Sequence, residues 1–388
     1  MNWLTLILFW TLILLVTASA IYHLICIYSA AKFFNSQKKL ENSTFTPPIT
    51  ILKPVRGIDE RAYDCWVSCC KQDYRNYEII FGVRDKNDPA IDLIKQLQTE
   101  FPQLQIKLVV SDKIIGINAK VSNLNNMLEC AENEILVLSD SDIFVPKDYL
   151  KTVVSPLQNE KIGVVTCLYR AIGSTNFAAL MEGLGISGEF ILGVLTARQL
   201  EGIKFALGST IAIKKEVLAK FGGFTAIADY LADDFLIGNL AAKSGYQVYL
   251  SECVVDTVLP DYKLSDFLKH QIRWSRGVKF SRPGGYVGLV FTFTTFFSLV
   301  LLLGFTSSYL AWVVALLALI VRFLAAWLIG GTWLGDHRIK RYFYLLPIRD
   351  LFSFLVWAAS FVGKTVYWRG DKFYLTSGGR LVSADKKE

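Results

Sequence analysis

The residues of this 388-residue chain best suited to chemistry are aspartates that follow short apolar runs. The run at 78–83 leads into Arg84-Asp85-Lys86-Asn87-Asp88-Pro89, and the run at 135–138 into Ser139-Asp140-Ser141-Asp142. A third pair, Asp233-Asp234, opens a helical pattern that continues through Lys243 and stops at Gly245. Two carboxylates one residue apart at the end of a buried strand can hold a hard divalent cation. Mg²⁺ or Mn²⁺ takes oxygen ligands and keeps positions open for phosphate oxygens. Held by Asp140 and Asp142, such an ion would neutralise charge developing on a departing nucleoside diphosphate. An Asp-Ser-Asp run is equally a turn or cap sequence. Asp233-Asp234 in a first helical turn is equally a cap and dipole partner. The functional reading makes Asp234 a general base that takes the proton of an acceptor hydroxyl.

Further along, Phe267, His270, Gln271 and Trp274 recur at i, i+3, i+4 and i+7 and so share one helix face, with Arg273, Arg276 and Lys279 supplying positive charge nearby. This amphipathic stretch over 264–277 is either an interfacial anchor or a cationic site. In the second case the Arg273 guanidinium meets a diphosphate in bidentate fashion.

The elements that must position these groups alternate. Apolar runs at 49–52, 78–83, 106–110 and 135–138 are separated by helical-period stretches at 62–72, 89–101 and 120–131. That order predicts an α/β fold with a mainly parallel sheet and helices on both faces. Ligands of such sheets bind at the carboxyl ends of the strands, where the first two acidic stretches fall.

The composition is 53% apolar, above the roughly 45–50% of soluble domains, and the excess collects in the first 34 residues and after Gly288. The net charge of +7 comes without a nucleic-acid-binding motif, and its basic residues flank the apolar segments, as anionic lipid headgroups favour. No nucleic-acid partner is expected. Seven cysteines, odd in number and without metal-like pairing, predict a reducing environment rather than a disulfide framework. The run over 3–34 has no charge before Lys32 and is too long for a signal peptide, so it reads as a membrane anchor. Lys32, Lys38 and Lys39 then put the catalytic domain in the cytosol. Further spans are expected at 286–306 and 308–330, with Arg276, Lys279 and Arg282 before them and Arg338, Lys340 and Arg341 after. The apolar stretch 342–366 contains Pro347, Arg349 and Asp350 and is followed by basic residues, which favours a re-entrant or interfacial segment over a fourth span. The apolar stretch 177–202 is either a bilayer-facing entry for a lipid or a buried helix pair.

Together these motifs resemble the ceramide glucosyltransferase family and its bacterial relatives, over nearly the whole chain. That family carries three spaced Asp motifs followed by a (Gln/Arg)-x-x-Arg-Trp motif. Here Lys53-Pro54-Val55-Arg56-Gly57 resembles the first-strand motif, Asp88 the first Asp, Asp140 the second and Asp234 the third. Gly116-Ile117-Asn118-Ala119-Lys120 resembles the stretch near the donor, Arg273-Trp274 completes the series, and the segment from Trp368 to Phe373 resembles a C-terminal signature. Two departures stand out. His270 occupies the position of the family's Gln or Arg, and Asp142 completes an Asp-x-Asp as in bacterial relatives, which include hopanoid-modifying glycosyltransferases.

The resemblance implies a GT-A fold, an inverting mechanism, a UDP-sugar donor, a membrane-lipid acceptor and a Mg²⁺ or Mn²⁺ cofactor. It implies that Arg56, Asp88, Lys120 and Asp140 handle the donor, that Asp140 and Asp142 hold the metal, and that Asp234, His270, Arg273 and Trp274 serve the transfer. UDP-glucose and ceramide are the expected pair, with a hopanoid acceptor and a processive polysaccharide synthase as alternatives. The expected organisation is an N-terminal anchor (1–34), a linker (35–48), a cytosolic GT-A domain (49–263), an amphipathic helix with the Arg-Trp pair (264–285), two transmembrane helices (286–330), and a re-entrant or transmembrane segment with a basic tail (331–388).

Overall fold

The computed structural model of the protein describes residues 2–36 and 45–384. Lys38, Lys39 and most of the expected linker lie outside the described residues. The chain divides into two compact units. One comprises residues 45–174, 203–261 and 372–384, the other residues 2–36, 175–202 and 262–371.

The first unit is built on an eight-stranded sheet. Its strands are β1 (Ile49–Pro54), β2 (Tyr77–Val83), β3 (Gln105–Val110), β4 (Ile135–Leu138), β5 (Ile143–Phe144), β6 (Ile162–Gly173), β7 (Ile211–Lys214) and β8 (Gln247–Leu259), in the order β3-β2-β1-β4-β7-β6-β8-β5. The first four pair in parallel, with Leu52 opposite both Ile80 and Leu138. Helices Ala62–Cys70, Ala90–Glu100 and Ala119–Leu128 make the crossovers. β1 and β4 are buried on both faces because helices cover both sides. Leu52, Ile80, Leu124, Leu138 and Ile213 meet in the core, each stabilising by about 1.5–3 kcal/mol on burial. β7 runs antiparallel to β4 and β6, while β6 and β8 are parallel to each other. At the opposite end of the sheet from the acidic stretches, buried Glu78 accepts from Thr50 at 2.6 Å and pairs with Lys107 at 2.8 Å. The chain's tail returns to this unit. Residues 373–375 pair antiparallel with 381–383. Leu381 N–H donates to the Asp229 carbonyl at 2.7 Å, Leu231 N–H to the Gly379 carbonyl at 3.1 Å, and Arg380 pairs with Asp229 at 2.9 Å.

In the second unit, Trp3–Ser36, Phe177–Glu201, Tyr309–Trp333 and Phe343–Ser360 are each long and apolar enough to cross a membrane. Pro283–Thr292 and Thr294–Gly304, bent by 48° at their break, pass the same test together. That bent pair occupies the place of the single span expected at 286–306. The stretch expected to be re-entrant or interfacial at 342–366 contains a helix of spanning length. Residues 175–202 interrupt the catalytic segment expected at 49–263 and group with the apolar helices. A helix apolar all round is buried among other helices or in lipid, and 83% of the apolar window of Phe177–Glu201 is buried. Leu192 and Val194, candidates for a lipid-facing surface, are 1% and 4% exposed. The charges flagged inside the last apolar stretch are paired: Asp350 meets Arg322 at 2.6 Å and accepts from Thr295, and Arg349 stands 3.5 Å from Glu189. An unpaired charge at a bilayer centre would cost about 3 kcal/mol. All seven cysteines are free.

Candidate active site

The strand order places β2 on one side of β1 and β4 on the other, so a crevice opens at their carboxyl ends. Lys53, fully buried near the end of β1, donates from Nζ to Ser139 Oγ at 3.2 Å and to the Asp140 carbonyl at 2.7 Å. A buried ammonium thus pins the turn after β4 and turns the Asp140 carboxylate outward, where Oδ1 meets Lys120 Nζ at 2.6 Å.

Lys120 stands in the first turn of the helix Ala119–Leu128, whose N-cap is Asn118: its side-chain oxygen accepts from Lys120 N–H and Val121 N–H. The same segment grips the loop ahead of the third acidic stretch. Ile117 N–H donates to Asp229 Oδ1 at 3.0 Å, Asn118 N–H to the Ala228 carbonyl at 2.7 Å, and Asn118 Nδ2 to the Tyr230 carbonyl at 2.8 Å. Only a glycine fits at 116, since a Cβ there would lie 2.5 Å from the Ala228 carbonyl oxygen. The grip brings Asp233 Oδ2 within 3.5 Å of Lys120 Nζ. Burial pulls the Lys120 ammonium down, but Asp140 and Asp233 outweigh it, and the group is held above the usual lysine range.

Asp234, beside Asp233 in the first turn of the helix Asp233–Lys243, accepts from Phe235 N–H through Oδ1 at 2.7 Å. Its Oδ2 and that of Asp140 lie 3.1 and 3.6 Å from where a Cβ on Gly208 would stand. Both carboxylates therefore border the space left by that glycine. Burial, then the charge of Asp233, pushes Asp234 up to about 6. Asp142 accepts from Thr257 Oγ1 at 2.9 Å, and burial, then Asp140, pushes it up to about 6. Asp88 accepts from Gly57 N–H at 2.8 Å and from Ala90 N–H at 2.9 Å. It thereby fixes the segment carrying exposed Arg56 and caps the following helix.

Of the residues singled out in the sequence, the sheet unit gathers Lys120, Asp140 and Asp234 at the crevice, with Asp142 beside them and Asp88 fastened to the loop of Arg56. His270, Arg273 and Trp274 lie on the helix Leu264–Ser281 in the other unit. There the rings of His270 and Trp274 are 4.7 Å apart, as their i, i+4 spacing predicts, and Arg273 Cζ lies 5.8 Å over the Trp368 ring. Sequence reasoning missed Thr257, Gly208 and Glu182, whose importance rests on contacts distant in the chain. Lys53 carried a signal: an ammonium inside an apolar strand must have a partner.

Asp140 and Asp142 are the residues that would hold a divalent cation. No group of three or more His, Cys, Asp or Glu side chains suited to a metal occurs among the described residues. The mutual influence of the two carboxylates, which raises Asp142, is of the kind a cation relieves. Two carboxylates fit an ion whose remaining positions are filled by phosphate oxygens, rather than an all-protein cage.

A mainly parallel sheet with helices on both faces and acidic groups at its switch point is the GT-A architecture, and the class of protein it defines is the glycosyltransferases. The mannosyltransferase PcManGT from Pyrobaculum calidifontis, solved with GDP-Man and Mn²⁺, has a similar fold, with a TM-score of 0.52 at 18% identity over 90% of this chain and 98% of its own. A sequence model of glycosyl transferase family 21 matches residues 9–381, and the chain belongs to that family. Ceramide glucosyltransferase 3 of Caenorhabditis elegans is 23% identical over 368 residues, 93% of this chain and 79% of its own. Ceramide glucosyltransferase 1 of the same organism is 22% identical over 363 residues, 90% and 76% respectively.

Proposed function

We propose that the protein is an inverting glycosyltransferase that moves glucose from UDP-glucose to the hydroxyl of a membrane lipid of the ceramide type. The observation that carries this reading is the crevice cluster, in which Asp140 and Asp234 border one space and Lys120 stands between Asp140 and Asp233. The names of the two nematode relatives and the apolar helices support a lipid acceptor. Lys32, near the end of the first apolar helix, supports a cytosolic catalytic unit.

Arg56, Asp88, Lys120 and Asp140 hold the nucleotide sugar. Asp140 and Asp142 would hold a Mg²⁺ or Mn²⁺ ion, which when bound would supply Lewis-acid neutralisation of the diphosphate. Asp234, pushed up to about 6, is ionised at neutral pH yet basic enough to accept a proton. It takes the proton of the lipid hydroxyl as that oxygen attacks the anomeric carbon. The bond from carbon to diphosphate oxygen breaks on the opposite face, and UDP leaves with the electron pair. Lys120 offers charge to the leaving diphosphate, and Arg273, His270 and Trp274 carry the part in the transfer that the family's Arg-Trp motif implies.

The test is a donor-by-acceptor assay on the purified full chain with Mg²⁺ or Mn²⁺. UDP-glucose, UDP-galactose and UDP-N-acetylglucosamine are offered against ceramide, diacylglycerol and a hopanoid polyol, with products read by mass spectrometry. Glucosylceramide as the single product supports the reading, and a glycosylated hopanoid would transfer it to that acceptor. Long oligosaccharides would replace it with a polysaccharide synthase.

A further inference from the structure

Glu182 lies at 2% exposure on the helix Phe177–Gly185, with both carboxylate oxygens turned to His270. His270 Nδ1 stands 3.1 Å from Oε1 and 3.2 Å from Oε2. A desolvated carboxylate is costly unless donors meet it, so Nδ1 carries a hydrogen and donates it. That commits the ring. One nitrogen is engaged, the tautomer is set, and Nε2 becomes the nitrogen available to a ligand. The ring is bounded by Trp274 at 4.7 Å and by Tyr262, stacked at 6.1 Å. The next residue, buried Gln271, accepts from Arg349 Nη1 at 3.0 Å, so two successive residues of the Arg-Trp helix are fixed by buried charged side chains from different helices.

We propose that Glu182 is a positioning residue for His270, holding the imidazole in the Nδ1–H tautomer so that Nε2 is the nitrogen left for a ligand. This role rests on the glycosyltransferase reading above, in which His270 belongs to the helix that carries the Arg-Trp motif.

The chain has three histidines, so ¹⁵N-histidine labelling of the full protein in lipid nanodiscs, with His270→Gln to assign its signals, reads the ring directly. The wild-type protein is expected to show the Nδ1–H signature at His270, and Glu182→Gln to shift it. In transfer assays Glu182→Gln lowers kcat by about 10–100-fold, by analogy with the partners that orient metal-bound histidines, with donor KM changed less than about twofold. Glu182→Asp recovers part of the loss. The double variant Glu182→Gln/His270→Gln is no slower than His270→Gln alone, because Glu182 acts through that ring. An Nε2–H tautomer in the wild-type protein, or additive losses in the double variant, would overturn the proposal. Absence of any transfer by the wild-type protein would instead strike the functional reading, while the NMR signature still decides the tautomer.

Discussion

Each unit of the molecule contains a buried charge cluster, and the two are built on different terms. In the helical unit Arg322 faces Asp350 one to one, with side chains 3% and 6% exposed and Thr295 completing the carboxylate's contacts. In the sheet unit one ammonium, Lys120, faces Asp140 and Asp233 with Asp234 close by, and the side chains of Lys120 and Asp140 are 24% and 36% exposed. The first cluster is balanced and sealed, as a charge pair must be among apolar helices. The second carries surplus negative charge and an opening, and Asp234 within it holds its proton to higher pH than an ordinary carboxylate. A surplus that is open to ligands is an arrangement for chemistry; a sealed balance is an arrangement for packing.

The comparison breaks first if Asp234→Asn leaves transfer intact. The expected loss in kcat is about 10²–10⁴-fold, the contribution of a general base, with donor affinity by calorimetry nearly unchanged and no fall in melting temperature. Asp350→Asn should do the reverse. Leaving Arg322 buried without its counter-charge costs about 3–5 kcal/mol of stability, read by thermal unfolding in detergent, while turnover per folded molecule holds.

The next effect separates the clusters by pH. Asp142 and Asp234 are pushed up to about 6, above the ordinary carboxylate value near 4. At these two groups the folded metal-free chain binds protons more tightly than the unfolded one, so their contribution to stability rises as pH falls from 7 through 6 toward about 4. Transfer needs Asp234 ionised and falls by about tenfold per pH step below 6. Melting curves and a pH–rate profile on the same samples should slope in opposite directions. The smallest change sharpens the role of Asp142: Thr257→Val removes its hydrogen bond, worth about 1 kcal/mol, and should raise the metal concentration needed for half-maximal activity.

What could be read from the sequence was what is local. The four parallel strands, the turn after β4 and the helix Asp233–Lys243 follow from period, breakers and composition within a dozen residues. The antiparallel insertion of β7 and the long β6–β8 pair left no such trace, because their partners are set by strands far along the chain. The individual Asp and Arg-Trp motifs were likewise legible, but not what tunes them. Thr257 meets Asp142 across 115 positions and Glu182 meets His270 across 88, so neither contact has a spacing signature. The helix Phe177–Glu201 left two readings open for another reason: a segment apolar all round reads alike whether it faces lipid or other helices.

The tail strands, tied by backbone hydrogen bonds to the loop at 229–231, act like a stitch that must finish on the side of the cloth where it began. The sheet unit holds both 174 and 203, so both ends of the apolar helix between them join the same compact unit. It also holds both 261 and 372, so a membrane beside that unit would be crossed an even number of times between those points. Three segments there have the length and apolarity to pass. With the sheet unit on one side of a membrane, at most two of them would complete a passage.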